Sequence, residues 1–213
     1  DQDALDTVKA IEKQRVATDG SQNDTFIQRY LNTLGYTSAK PQLLDDVAYG
    51  KARRKAKAES MYHADKSYGG KTGDAYNKQL QSGDSMFCSN GYYGAGTYWA
   101  FGSASSSANY GRFQTKGFLN SKAKIVTTQQ LDTMLRQFKQ SHPKTYAQLK
   151  NAKQGYGLLG ETMYPILATT HGYNVIQVGS TRTSGTYMVT LDRSVLTMSK
   201  KTIKNASVGM DNW

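Results

Sequence analysis

Only one cysteine, Cys88, occurs in 213 residues, so neither an internal disulfide nor a cysteine-based zinc site can hold this chain together. The fold must be stable without covalent staples, which suits a reducing compartment or packaging inside a particle. No apolar run approaches bilayer-spanning length, and the first residues are acidic and polar, unlike a secretory leader; a soluble chain with no membrane partner is expected. It opens at Asp1 without an initiator methionine, as a trimmed or cleaved chain would. The phosphate-binding loop Gly-x-x-x-x-Gly-Lys-Ser/Thr, the His-Glu-x-x-His zinc pair and the Gly-x-Ser-x-Gly nucleophile elbow are all missing. Metal catalysis therefore lacks ligands. Cys88, beside Met86 and Phe87 and far in sequence from any histidine, reads as a small buried residue and not as a nucleophile.

Acidic residues are also in short supply. With 27 Lys and Arg against 16 Asp and Glu, the net charge is +11 and the isoelectric point is near 9.6, which favours polyanions: nucleic acid, an acidic protein or a pyrophosphate. The basic residues are dispersed. Their one cluster, Lys51-Ala52-Arg53-Arg54-Lys55-Ala56-Lys57, fits a solvated helix face better than a nucleic-acid module.

The length suffices for one domain, or one domain with a helical extension. Leu5, Val8 and Ile11 recur at helical spacing over residues 3–17, as do Phe26, Ile27, Tyr30, Leu31 and Leu34 over 24–34, where Asn23 or Asp24 can cap and Gly35 can stop the helix. A third helix is predicted from Pro41 to Lys57, with proline in its first turn. Residues 1–59 thus read as an N-terminal helical segment. After Ser60, glycine and tyrosine become frequent and short strands are predicted at 84–89, 97–101, 113–119 and 123–127. A helix follows at 129–139 with Leu131, Met134, Leu135 and Phe138 on one face; Pro143 ends it or begins another, and a further helix spans 160–171. Strands at 173–178 and 187–191 flank a polar connector at 179–185, so residues 60–213 form an α+β domain.

The stretch Gly91 to Tyr110, GYYGAGTYWAFGSASSSANY, joins glycines that permit close approach of a ligand (Gly91, Gly94, Gly96) to aromatics and to serines able to cap a helix or hold an anion. Composition alone fits an ordinary surface loop equally well. Order adds more: Gly94-Ala95-Gly96-Thr97-Tyr98-Trp99-Ala100 and Ser107-Ala108-Asn109-Tyr110 resemble the NAD-binding block of the ADP-ribosyltransferase superfamily, in its poly(ADP-ribose) polymerase and diphtheria-toxin-like branch. That branch carries an upstream histidine, matched by His63 in Met61-Tyr62-His63-Ala64, where Ala64 replaces the usual glycine. Its third motif residue is a glutamate before a late strand; the matching position in Thr186-Tyr187-Met188-Val189 is Thr186.

The resemblance implies a split β-sandwich of two small antiparallel sheets with flanking helices, binding NAD as co-substrate. It implies His63, Tyr98 and Thr186 at the catalytic positions, nicotinamide between Tyr98 and Tyr110, Ser107 on the carboxamide, His63 on ribose hydroxyls, and Ala64, Gly94 and Gly96 against the cofactor. Loss of nicotinamide from ribose builds positive charge that the missing carboxylate would have met; Gln177, Asp192 or Glu161 are the alternatives in this chain, each otherwise structural. Without the glutamate, transfer of a single ADP-ribose to a macromolecule, protein before nucleic acid, is implied instead of polymer growth. The residues 179–185 would face the target. The closing third, Gly172-Tyr173-Asn174 and Tyr187 to Ser194, also resembles ADP-ribosyltransferase-like domains attached to phage minor head proteins, which places the protein in a virion or, as a toxin, in a host cytoplasm. The alternative is a binding or virion structural protein that keeps the fold without turnover.

Overall fold

A computed structural model describes residues 2–15, 31, 33–36, 39–65, 73–82, 90–91, 94–101, 113–151, 158–179 and 186–204. Among these, six helices, α1 (Gln2–Arg15), α2 (Asp46–Lys55), α3 (Gly73–Ser82), α4 (Thr128–Ser141), α5 (Pro143–Asn151) and α6 (Leu158–Thr170), accompany eleven strands. The strands are β1 (Gln42–Leu44), β2 (Met61–Asp65), β3 (Asn90–Gly91), β4 (Gly94–Ala95), β5 (Thr97–Phe101), β6 (Phe113–Leu119), β7 (Ile125–Thr127), β8 (Val175–Val178), β9 (Tyr187–Thr190), β10 (Leu196–Ser199) and β11 (Ile203–Lys204). The α+β class is as the sequence predicts. Nine strands make one continuous mixed sheet in the order β1-β10-β6-β2-β5-β9-β8-β7, with β11 beside β6, while β3 and β4 form a separate ribbon. Two pairings are parallel, β1 with β10 and β7 with β8.

Strand alternation divides the core in two, because successive side chains point to opposite faces. On the front of the sheet, Val126, Ile176, Val178, Val189, Tyr98 and Tyr187 pack in one cluster with Val8 of α1, Leu131 and Phe138 of α4, and Met163, Ile166 and Leu167 of α6. On the back, Met61, Trp99, Val175, Met188, Leu196 and Met198 form a second cluster, which includes Leu80 of α3. α1 and α2 and the strand β1, all within residues 1–59, pack onto this same sheet and core.

Local signals explain most elements. α4 carries the apolar stripe read from sequence and starts in a capping box, in which Thr127 Oγ1 accepts from Gln130 N and the Gln130 side chain accepts from Thr127 N. Pro143 opens α5 instead of only closing α4. The predicted helix at Pro41–Lys57 is corrected: its first turn is strand β1, and α2 begins at Asp46 with Asp45 as N-cap, its carboxylate accepting from Ala48 N. Three extended residues are stabilised there by pairing with Thr197, Met198 and Ser199, which no local pattern encodes. The predicted strand at 84–89 and most of the predicted helix at 24–34 lie outside the described residues.

Asp46 ties α2 to the sheet. Ser199 Oγ donates to Asp46 Oδ1 at 2.7 Å, Lys116 Nζ approaches Oδ1 to 3.0 Å and Lys201 Nζ approaches Oδ2 to 3.6 Å. These partners, the Ser199 hydroxyl first, hold its carboxyl below the usual 3.8. A lowered folded-state pKa contributes stability that is complete above the unfolded value and is lost as pH falls through the folded one. Urea unfolding at about pH 6 and about pH 3 is expected to show a smaller acid-induced loss for Asp46→Asn than for the unchanged protein. The effect is modest because the carboxylate is a third exposed. Equal losses in both proteins would remove this role.

Candidate functional site

The sheet parts at its centre. β2 pairs with β6 over all five residues from Met61 to Asp65, but with β5 only at Met61–Phe101 and Tyr62–Ala100. Beyond that point the two strands are bridged by a side chain: His63 Nδ1 donates to the Tyr98 carbonyl oxygen at 2.8 Å. A carbonyl can only accept, so Nδ1 carries a proton. The imidazole packs tilted on the Trp99 indole with ring centroids 5.5 Å apart.

Trp99 floors this seam from the back. It is wholly buried, its Nε1 donates to Thr190 Oγ1 at 3.1 Å on β9, and a Cβ placed on Gly117 of β6 would stand 3.5 Å from its Cζ3. One indole thus reaches both strands flanking the β5–β2 pair. Across β2 from β5, Thr115 of β6 lies in register with His63; its hydroxyl is buried with no hydrogen-bond partner among the described residues. Sequence reasoning missed Thr115, since only strand register brings residues 63 and 115 together.

The residues predicted for the site are distributed as follows. His63 and Tyr98 meet through the Tyr98 carbonyl, while the Tyr98 ring lies on the front, 5.7 Å from the Tyr187 ring. Ala64 is buried beside His63 on β2. Gly94 belongs to the β3–β4 ribbon, against which α6 packs. Gly96 is packed on β9: a Cβ there would stand 2.5 Å from Val189 Cγ1 and 3.0 Å from the Thr190 carbonyl oxygen. The sheet alone therefore requires a bare Cα at Gly96. Ser107 and Tyr110 lie outside the described residues.

Thr186, just before β9, is 6 % exposed. Gly179, across from it, has φ +87° and would place a Cβ 2.9 Å from Thr186 Oγ1. Only glycine fits both the left-handed backbone and the contact. Of the three alternatives for the absent carboxylate, Gln177 is nearest by register, two residues before Gly179 and paired with Met188, with its Nε2 donating to the Gly179 carbonyl at 3.3 Å. Asp192 is at the other end of β9, six extended residues or about 20 Å from Thr186, and caps the turn Arg193–Val195 by accepting from Ser194 N and Oγ at 2.8 and 2.9 Å. It cannot serve at the Thr186 end. The Glu161 side chain lies outside the described residues.

The other two histidines have structural roles. His142 caps the C-terminus of α4 with its ring 5.0 Å from Phe138, and His171 Nδ1 donates to the Leu167 carbonyl at 2.8 Å. The basic run 51–57 is mostly solvent-facing, on the second half of α2 and just past it, where cations favour the helix C-terminus. A cavity of about 360 Å³ lies between α2 and the strands β2 and β6. Tyr62 lines it, so by alternation it opens on the face of β2 opposite His63.

No family model matches this chain, and no curated protein matches it. Among solved structures, a crystal structure of an anti-CRISPR protein aligns over 66 % of this chain and 95 % of that one, at 12 % identity and a TM-score of 0.37. So slight a likeness carries no argument. Among the described residues, no helix is long and apolar enough to cross a membrane, and no group of three or more His, Cys, Asp or Glu side chains could hold a metal ion.

Proposed function

We propose that the protein is an NAD-dependent mono-ADP-ribosyltransferase acting on a macromolecular acceptor, protein before nucleic acid, with its site at the seam between β2 and β5. The observation that carries this is the His63 Nδ1 bond to the Tyr98 carbonyl, which joins the two most specific matched positions across parted strands. The bond to Tyr98 fixes the orientation of the ring, and an imidazole is a side chain suited to a ribose hydroxyl, as the resemblance implies. In the same reading the seam is the divide of a split β-sandwich, with β6 and β10 on the β2 side and β9 and β8 on the β5 side. Residues 60–213 are then the NAD-binding domain, preceded by the helical segment 1–59.

NAD supplies an ADP-ribosyl group on a breakable bond to nicotinamide. The resemblance gives ribose hydroxyls to His63 and the cationic pyridinium to the π faces of Tyr98 and Tyr110. Because the Tyr98 ring is on the front and His63 on the back beside Trp99, the ligand must cross the sheet where β2 and β5 part to meet both. Ser107 takes the carboxamide, and Gly94, Gly96 and Ala64 keep the flanking backbone close. The bond from ribose carbon to nicotinamide nitrogen breaks with its electron pair leaving on nicotinamide; the acceptor nucleophile bonds that carbon and releases its proton to solvent. Buried Thr186 offers a hydroxyl dipole where the related enzymes place a carboxylate. A phage particle or a host cytoplasm remains the setting that the closing third suggests.

Incubating the protein with labelled NAD and cell lysate is expected to label a macromolecule and release nicotinamide, and Tyr98→Ala is expected to abolish both. Equal labelling by the two proteins would reject the assignment. One observation favours a second reading, a binding or virion structural protein without turnover: Thr186 is buried against Gly179, and Asp192 is committed to its turn. Calorimetry separates the two, since heat of NAD binding without nicotinamide release belongs to the second and sustained release to the first.

A further inference from the structure

We propose that the cavity between α2 and the strands β2 and β6 binds a small molecule carrying an oxyanion, gripped by Arg53, independently of whether NAD is turned over at the seam. At about 360 Å³ the cavity is within the size range of small-ligand sites. Arg53 lines it half-buried, and the guanidinium has one protein hydrogen bond, from Nη1 to the Ala58 carbonyl at 3.2 Å. That bond fixes the plane of the fork. The other edge, Nε and Nη2, has no hydrogen-bond partner among the described residues, and it is this edge that takes two oxygens of a phosphate or carboxylate at once.

The surrounding charge favours an anion. Asp46, one wall carboxylate, is already paired with Lys116 and Lys201 and accepts from the Ser199 hydroxyl. Within the lining, Asp46 and Glu59 balance Arg53 and Lys116, so the positive excess comes from Lys201 and from the helix. Lys51, Arg54, Lys55 and Lys57 are exposed on and just past the same helix and raise the local concentration of anions. Burial raises the Tyr49 phenol's pKa, and its hydroxyl is held 3.0 Å from Ser60 Oγ, which keeps it a neutral wall. Tyr62 adds a half-buried aromatic surface for the body of the ligand.

Calorimetric titration of the whole protein with AMP and, separately, with glutamate tests this, the first arm reporting phosphate and the second carboxylate. At least one is expected to bind more tightly than about 1 mM. Arg53→Gln and Arg53→Lys are each expected to weaken that binding about tenfold or more, the lysine variant keeping the charge while removing the fork, with melting temperature tracked to confirm folding. His63→Ala is expected to bind as the unchanged protein does. Absence of binding in both arms, binding unchanged in the folded Arg53→Lys protein, or loss of binding in His63→Ala would each overturn the proposal.

Discussion

His63→Ala is expected to cut nicotinamide release from NAD by about a hundredfold or more, the scale at which a small misplacement of a reacting group is felt, while destabilising the fold by only about 1 kcal/mol. The two effects differ because the half-buried imidazole contributes to stability through contacts such as its bond to the Tyr98 carbonyl at 2.8 Å, each worth only about 1 kcal/mol. In the proposed site the same ring holds the sugar from which nicotinamide departs. Chromatographic assay of nicotinamide, paired with urea unfolding, separates the two. Release that persists at the original rate in the folded variant would sink the seam as the reaction site. A loss of several kcal/mol would recast His63 as a core residue.

Trp99→Ala is expected to cost about 3–5 kcal/mol, in the range of large aromatic deletions from a core, which is a large share of the roughly 5–15 kcal/mol a domain has. The indole is fully buried among Met61, Met188 and Met198, and it spans from the Thr190 hydroxyl to the side of Gly117. Its removal leaves a cavity beneath the parted strands and strips His63 of its packing partner. Trp99→Phe keeps most of the volume but loses the Nε1 donor, so it should cost about 1 kcal/mol. The check is the urea midpoint at constant slope. A cost under about 1 kcal/mol for the alanine variant would show that the floor closes without the indole.

What was legible in sequence is what local spacing encodes. Leu131, Met134, Leu135 and Phe138 at helical intervals announced α4, found at Thr128–Ser141, and β5 and β6 were read to the residue. Illegible was whatever depends on distant partners. β1 was read as the start of a helix because Gln42–Leu44 has no pattern of its own and takes its conformation from β10. Likewise, the candidate site's histidine and tyrosine could be picked out by residue order, but not the bridge between them. That bridge depends on β2 and β5 ceasing to pair after two positions. Nor could spacing reveal that Asp192 is spent on a turn, or that Gly96 and Gly179 are held by side chains on β9 and just before it.

The parallel pairing of Gln42 with Thr197 and Leu44 with Ser199 also bears on how the chain reaches its native state. An outer strand whose one neighbour among the described residues is made some 155 residues later raises contact order, and loop closure over that span must be met before the pairing gives anything back. During synthesis, residues 42–44 therefore wait without a sheet until β10 has emerged. This margin closes last and, by the same topology, is the natural place for unzipping to begin.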